Sequence, residues 1–297
     1  MNLGRFIQQH GLPAVFAESA EKYYLPFAEW LATQLAIHEG AACVLGINGA
    51  QGTGKSTLAE LLSEYLEHEH GRRVVILSID DLYLTLAERE VLGRGVHPLL
   101  RTRGVPGTHD VNLGISIIEQ LQALRAGDSI RVPRFDKSRD DRYPQVEWST
   151  VAGPVDLIIF EGWCVASQAV PDAELREPVN ELESSQDEDG RWRIYVNDRL
   201  RTDYKRLFTY LDVLLFLQVP DFAAVLRWRI EQEHKLRQRS GANANAVMSD
   251  AEVANFVRYY ERITRNNIEV LPTLANAVIR LDDSHQPVSL IFPHSKC

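Results

Sequence analysis

Only three cysteines occur in 297 residues, Cys43, Cys164 and Cys297, and none stands at the spacing of a C-x-x-C pair or a metal site. That scarcity excludes a disulfide-stapled fold and reads as three reduced thiols in a cytoplasmic protein. Excess basic charge is lacking too. The formal net charge is −9 and the pI about 5.5, which sets nucleic acid aside as a partner. No apolar run approaches the ~20 residues a membrane span needs, and no basic stretch with an apolar core opens the chain. Neither a membrane partner nor a signal peptide is therefore expected. Repeats and inter-domain linkers are absent as well, so one domain over residues 1–297 is the expectation. What the chain does have is 45% hydrophobic residues, ample for a buried core.

The most specific feature is Gly49-Ala50-Gln51-Gly52-Thr53-Gly54-Lys55-Ser56-Thr57, whose first eight positions fit G-x-x-x-x-G-K-[ST]. In such a loop the glycines let backbone N–H groups converge on phosphate oxygens. Lys55 reaches the β- and γ-phosphates, and the Ser56 hydroxyl ligates Mg²⁺. Context supports the match. Ala42 to Ile47 is an apolar run of strand length, and Leu58, Leu61, Leu62, Tyr65 and Leu66 then recur at helical spacing. A loop between a strand and a helix N-terminus is where a phosphate binds.

Further buried strands are expected at 73–79, 155–160, 212–219 and 277–281, separated by helical patterns. Alternation of this kind predicts an α/β fold of the P-loop NTPase type. It is a three-layer sandwich with a mainly parallel five-stranded sheet, helices on both faces and a helical lid. Residues 14–38 read as a helical extension, with Pro26 a kink or break and with its aromatics, Phe16 among them, packed on the body. Residues 87–145 read as a long polar stretch in which only 111–126 look helical, and 129–133 as a short edge strand. Residues 172–203 are uneven and polar, and read as a surface insertion. The segment 221–248 reads as the lid. It comprises a helix over 221–239 carrying Arg227, Arg229, Lys235, Arg237 and Arg239, followed by the small-residue loop 241–247. A lid arginine delivered to a transferring phosphate is worth roughly 10³–10⁵ in rate. A basic solvated helix face is the plain alternative. Ser249 to Glu252 is a capping box that opens a further helix.

Ligands of an open parallel sheet gather outside the C-terminal ends of its strands. Lys55, Asp80 with Asp81, and Glu161 stand at three such ends. Asp80 could take the proton of an acceptor hydroxyl, cap a helix or hold a water of Mg²⁺, and Asp81 could exchange roles with it. Glu161 is positioned to reach Mg²⁺ or its waters. No second acid follows it, unlike in an ATP-driven motor, and no N-K-x-D marks a GTPase. Between Arg94 and Arg142 eight arginines and Lys137 outnumber six acids, inside an otherwise acidic chain. Such a segment suits an anionic acceptor gripped by Arg forks, or equally a solvated surface. His109 could bind substrate or cap the helix that follows it.

Taken together, Gly49–Thr57, Ser78–Thr85 (SIDDLYLT), Arg101–Asp110 (RTRGVPGTHD), Pro133–Ser138 (PRFDKS), Ile158–Trp163 (IIFEGW) and Met248–Val253 (MSDAEV) resemble the D-glycerate 3-kinase group of P-loop kinases. That group is akin to phosphoribulokinase, uridine kinase and bacterial pantothenate kinase. The resemblance spans roughly residues 40–283, and the R-G-x-P-G-T-H-D and F-D-K-S blocks are its discriminating parts. It implies ATP- and Mg²⁺-dependent phosphorylation of a primary hydroxyl on a small anionic acceptor, glycerate first. Asp80 is then the base, Lys55 and Arg229 act on the phosphate, and Ser56 and Glu161 hold the metal. Tyr83, Arg101, Arg103, His109, Lys137 and Arg142 join Asp80 around the acceptor. The chain departs from the family where the segment between Ser138 and Asp141-Arg142 is shortened to Arg139-Asp140, and in the length of 172–203. Pantothenate, a nucleoside or a sugar phosphate is the alternative acceptor, and an ATP-binding regulatory module is the alternative of another class.

Overall fold

The structure is a computed structural model that describes residues 1–38, 41–240 and 248–293. Ten strands follow in chain order. They are β1 (Cys43–Gly49), β2 (Val74–Ser78), β3 (Ser129–Val132), β4 (Phe135–Asp136), β5 (Asp141–Arg142), β6 (Ser149–Ala152), β7 (Leu157–Gly162), β8 (Val213–Gln218), β9 (Ala277–Leu281) and β10 (Pro287–Ile291). The main sheet has the order β10-β9-β8-β1-β7-β2. Its first five strands in sequence are parallel and β10 returns antiparallel to β9. All five strands expected from the sequence are present. The sixth, β10, begins on a proline, which an edge strand tolerates at its first residue.

Strands β1 and β7 are buried along their whole length, as continuous apolar runs in a parallel sheet covered on both faces should be. Alternate side chains feed two cores. Leu45 and Ile47 of β1 pack with Leu58, Leu61 and Leu62 of the helix Lys55–His70 and with Phe27 and Leu31 of the N-terminal extension. Val44, Ile158 and Phe160 pack on the other face with Ile117, Leu121, Trp163 and Tyr204. The N-terminal extension runs as one continuous path of helix, Phe16–Ser19, Ala20–Tyr24 and Leu25–Ile37. Pro26 does not break it. It falls in the first turn of the last segment, just after a π turn at 20–24.

Residues 129–132 form the short strand expected, β3, which pairs antiparallel with β6 in a small two-stranded sheet separate from the main one. Two expectations are corrected. The polar stretch after residue 86 contains a helix, Leu86–Gly95, opened by a complete capping box between Thr85 and Glu88. Its periodicity is masked because its most buried side chain is an arginine. Residues 172–203 are no loose surface piece. They hold the helices Glu181–Gln186 and Arg191–Arg199, and Leu182, Trp192, Val196 and Leu200 join the second core. Polar composition misled there because the buried charges are paired, Arg193 with Asp187 at 2.9 Å and Arg262 with Glu183 at 2.6 Å. The helix expected over 221–239 runs Phe222–Ser240 with Asp221 accepting from the Ala224 N–H, and the capping box at Ser249 is formed. The loop 241–247 lies outside the described residues. Among the described residues, no helix is long and apolar enough to cross a membrane.

The fully buried arginine is Arg89. Its guanidinium donates to the carbonyls of Leu84 at 3.2 Å and Arg101 at 2.7 Å and to that of Asp140, and pairs with the Asp140 carboxylate at 3.0 Å. One side chain thereby joins three irregular segments that sheet ladders do not reach. Replacing Arg89 with Met is expected to lower the unfolding free energy by about 3–5 kcal/mol, since several buried acceptors lose their donor together. Urea denaturation of the two proteins measures it.

Candidate active site

Register explains why distant residues meet. Glu161 on β7 stands opposite both Ile47 of β1 and Ser78 of β2, so β7 lies between the strand that releases the glycine loop and the strand that releases Asp80. The loop turns tightly after Gly49, where a Cβ would lie 2.7 Å from Thr53 Oγ1 and 3.0 Å from Leu217 Cβ. Only glycine fits that approach. The loop then closes on one carbonyl. Ala50 C=O accepts from Thr53 N–H at 3.3 Å, Thr53 Oγ1 at 2.8 Å and Lys55 Nζ at 3.2 Å. Gly54 is the N-cap of the 16-residue helix and brings no side-chain cap, so the first-turn N–H groups remain available to an anion. Burial lowers the Lys55 pKa, opposed by the carboxylates of Glu161 and Asp80. Ser56 Oγ donates to Glu161 Oε1 at 3.3 Å, and Glu161 is buried.

Asp80 is half-buried at the end of β2. Its Oδ1 accepts from the Tyr83 hydroxyl at 2.8 Å and its Oδ2 from Lys137 Nζ at 2.7 Å. Burial on its own would raise its pKa, but the Lys137 charge and the hydrogen bonds from Lys137 and Tyr83 outweigh it and hold the carboxyl below its usual range. Asp81 does different work. Its Oδ1 accepts the Phe135 N–H at 2.9 Å and so fixes the β4–β5 hairpin that carries Lys137. The two acids are not interchangeable.

An aromatic layer backs the pair. The Tyr83 ring stacks on His109 at 4.5 Å and meets Phe135 edge-on at 5.2 Å. The Tyr204 hydroxyl accepts the Gly107 N–H at 3.0 Å and shares a hydrogen bond of 2.5 Å with His109 Nδ1. His109 Nε2 is buried and has no hydrogen-bond partner among the described residues. Desolvation lowers the His109 pKa to about 4. His109 is not a helix cap, since Asp110 accepts from the Leu113 N–H in that role. The loop bearing His109 is held by Trp163 Nε1, which donates to the Gly104 carbonyl at 2.9 Å. Gly104 has φ +138° and passes so close to Tyr260 that a Cβ would lie 2.2 Å from its hydroxyl.

The remaining cations divide. Arg103 lies over the Phe135 ring at 5.5 Å and pairs with Asp140, and so stays with the Tyr83 layer. Arg101, expected in the same clamp, lays its stem over Gly93 and turns its head towards Glu90 at 3.8 Å. Arg142, also expected there, directs its fork to the Tyr83 carbonyl at 3.1 and 2.8 Å and to Asp110 at 3.4 Å. It braces Tyr83 from behind. Arg229 pairs with the buried Glu233 and donates to Gln232 at 3.3 Å, and Gln232 lines the pocket beside the glycine loop. Arg89 was missed because a single arginine on a short helix shows no pattern.

A glycine loop at the tip of β1, an ionised acid at the tip of β2 and a buried acid between them define a P-loop protein arranged for phosphotransfer. Residues 14–83 match the family model described as "Methylmalonyl Co-A mutase-associated GTPase MeaB", a stretch that covers the glycine loop with its flanking elements. Over 276 residues the chain is 32% identical to "D-glycerate 3-kinase, chloroplastic" of Arabidopsis thaliana, covering 87% of this chain and 57% of that protein. It is 34% identical over 272 residues to "Uncharacterized kinase mug58" of Schizosaccharomyces pombe, covering 84% and 91%. The solved D-glycerate 3-kinase of Cryptococcus neoformans var. grubii superposes with a TM-score of 0.74 at 26% identity, covering 91% of this chain and 98% of that one. The chain belongs to the D-glycerate 3-kinase group of P-loop kinases.

The buried neutral histidine sets a pH dependence. The unfolded chain protonates His109 near pH 6.5, whereas the folded one does so only near 4. Stability is therefore lost as pH falls between those values, by up to about 3 kcal/mol. Urea denaturation at pH 7 and pH 4.5 is expected to show this loss, and His109→Phe is expected to reduce the difference.

Proposed function

We propose that the chain is an ATP-dependent kinase that phosphorylates a hydroxyl of a small anionic acceptor, with D-glycerate the first candidate. The observation that carries this reading is Asp80, ionised and held between Lys137 and Tyr83, beside the loop that bears Lys55. The phosphates of ATP rest on residues 49–57, against the backbone N–H groups of the loop and the N-terminus of its helix. Ser56 and Glu161 offer a hydroxyl and a buried carboxylate that touch at 3.3 Å, hard oxygens suited to Mg²⁺. When bound, that ion neutralises charge on the phosphate oxygens.

Asp80 accepts the proton of the acceptor hydroxyl. Its low pKa makes it a weak base that is always ionised at neutral pH. Phosphoryl transfer passes through a loose transition state and asks for orientation more than basicity. With Nδ1 engaged by Tyr204, His109 offers Nε2 to an acceptor oxygen, as a donor in its Nε2–H tautomer, and stays neutral while doing so. Lys137 and Arg103 are the cations left to meet an acceptor carboxylate, which a ligand with little apolar surface requires. Arg229 serves as the lid cation by exchanging Glu233 for the transferring phosphate.

The test is turnover of ATP with a panel of acceptors, glycerate, pantothenate, nucleosides and sugar phosphates among them. Glycerate is expected to respond, and its silence would retire the specific acceptor. Asp80→Asn is expected to lower turnover by about 10²–10⁴-fold while ATP affinity is kept. Unchanged turnover would remove Asp80 from its role. The acid limb of the rate profile assigned to Asp80 is expected below the ordinary carboxylate range, because the Lys137 charge favours the ionised form. Lys137→Met is then expected to move that limb to higher pH.

A further inference from the structure

Among the described residues, two clusters of metal-ligating side chains lie apart from Asp80 and Glu161. In one, His97, Asp187 and Asp189 approach one another, but their atoms are committed. Asp187 pairs with Arg193 at 2.9 Å, and His97 Nδ1 accepts the Leu99 N–H at 3.3 Å. A neutral imidazole that accepts at one nitrogen carries its proton on the other, so Nε2 has no lone pair for a cation. The second cluster joins His38, Cys43 and Asp212, one donor atom of each lying within 4.8 Å of the other two. Asp212 is remote from its partners in sequence, which is why no spacing along the chain announces the group.

The fold assembles this second group at the edge of the sheet opposite the glycine loop. Cys43 opens β1, Asp212 immediately precedes β8, and His38 follows the helix Leu25–Ile37. Asp212 is clamped to β1. Its N–H donates to the Val44 carbonyl at 2.9 Å and its Oδ2 accepts the Val44 N–H at 2.8 Å, so the carboxylate is fixed beside Cys43 with lone pairs to spare. Cys43 is buried, and its side chain shares a face of β1 with Leu45 and Ile47, against the N-terminal extension. The His38 N–H donates to the Gln34 carbonyl at 3.0 Å and closes a helix anchored through Leu31 and Leu35 in the same core. Its backbone is held while its ring is exposed and turns about two side-chain bonds. The 13-residue helix also directs its carbonyl end, the negative pole of its dipole, to this place.

We propose that His38, Cys43 and Asp212 form a binding site for a zinc-class transition metal, with water as the fourth ligand. A thiolate and an imidazole select Zn²⁺ or Co²⁺ over Mg²⁺ and Ca²⁺, which take oxygen ligands. As the Cys43 Sγ–metal bond forms, the Sγ–H proton leaves to solvent. One thiolate and one carboxylate then balance the divalent ion, so the half-sheltered group carries no net charge. Tetrahedral bonds of about 2.0–2.3 Å set neighbouring donors about 3.5 Å apart, and the His38 ring supplies the contraction. The bound ion would tie the N-terminal extension to the starts of β1 and β8. It needs neither the glycine loop nor Asp80, and so stands apart from the kinase reading.

Co²⁺ is the probe, because its thiolate complexes absorb in the near ultraviolet. The full chain, free of any affinity tag and reduced, is titrated with Co²⁺ in excess Mg²⁺, which occupies sites made of oxygen alone. The parent is expected to develop a thiolate–cobalt band that saturates at one ion per chain and is abolished by Zn²⁺. Cys43→Ser is expected to lose the band and Cys297→Ser to keep it. His38→Ala changes an exposed side chain, and Asp212→Asn keeps an oxygen for the Val44 N–H, so both are expected to fold, as circular dichroism checks. Each is expected to weaken Co²⁺ binding about tenfold or more. A parent without the band overturns the inference, as does a band that survives Cys43→Ser. Co²⁺ affinity unchanged in folded His38→Ala or Asp212→Asn overturns it too, and this arm stands even where Cys43→Ser fails to fold.

Discussion

Strand β7 lies between β1 and β2 in one parallel ladder, and the rest of the site depends on that adjacency. Parallel neighbours run about 4.8 Å apart and end at the same edge. The glycine loop, Glu161 and Asp80 are therefore delivered side by side although they are far apart in sequence. The helix after the loop points its N-terminus at the same edge, so the positive end of a dipole and two carboxylates share one small volume. The proposed binding of a triphosphate with its cation calls for charges of both signs in one place. The sheet supplies that closeness without calling on any loop to be rigid by itself.

Beyond the sheet edge, the surroundings of Asp80, Tyr83 and His109 are built almost entirely from irregular chain, and side chains take over the role of the ladder. Arg89 ties three carbonyls, Arg142 holds the Tyr83 carbonyl, Asp81 holds the Phe135 N–H, and Trp163 holds the Gly104 carbonyl. Each of these bonds satisfies a backbone group that a loop would otherwise leave unpaired in a dry setting. The cost of losing one of these partners is correspondingly high. It is also why so many charged residues near the site are structural rather than chemical.

That division marks what could be read from the sequence and what could not. The glycine loop was legible because its chemistry is contiguous, and the buried strands because their apolar runs are. Asp80 was placed at the right edge, but its distinction from Asp81 turns on whether the partner is Lys137 or the Phe135 N–H, both more than fifty residues away. The arginines were harder still. Arg101, Arg103 and Arg142 look alike in a basic segment, yet one faces Glu90, one an aromatic ring and one a carbonyl. A cation's task is set by what stands across from it, and local spacing carries no record of that. The same holds for 172–203, where paired buried charges have the composition of a surface.

The pocket beside the glycine loop joins Phe16 to Pro287. During synthesis the first of these leaves the ribosome some 270 residues before the second, a span read from their positions. A nascent chain can form the glycine loop and its helix early, as local structure, but the pocket beside the loop stays open on one side until the β9–β10 turn arrives. The pocket's two walls are thus joined last, and its shape belongs to the docked hairpin as much as to the loop.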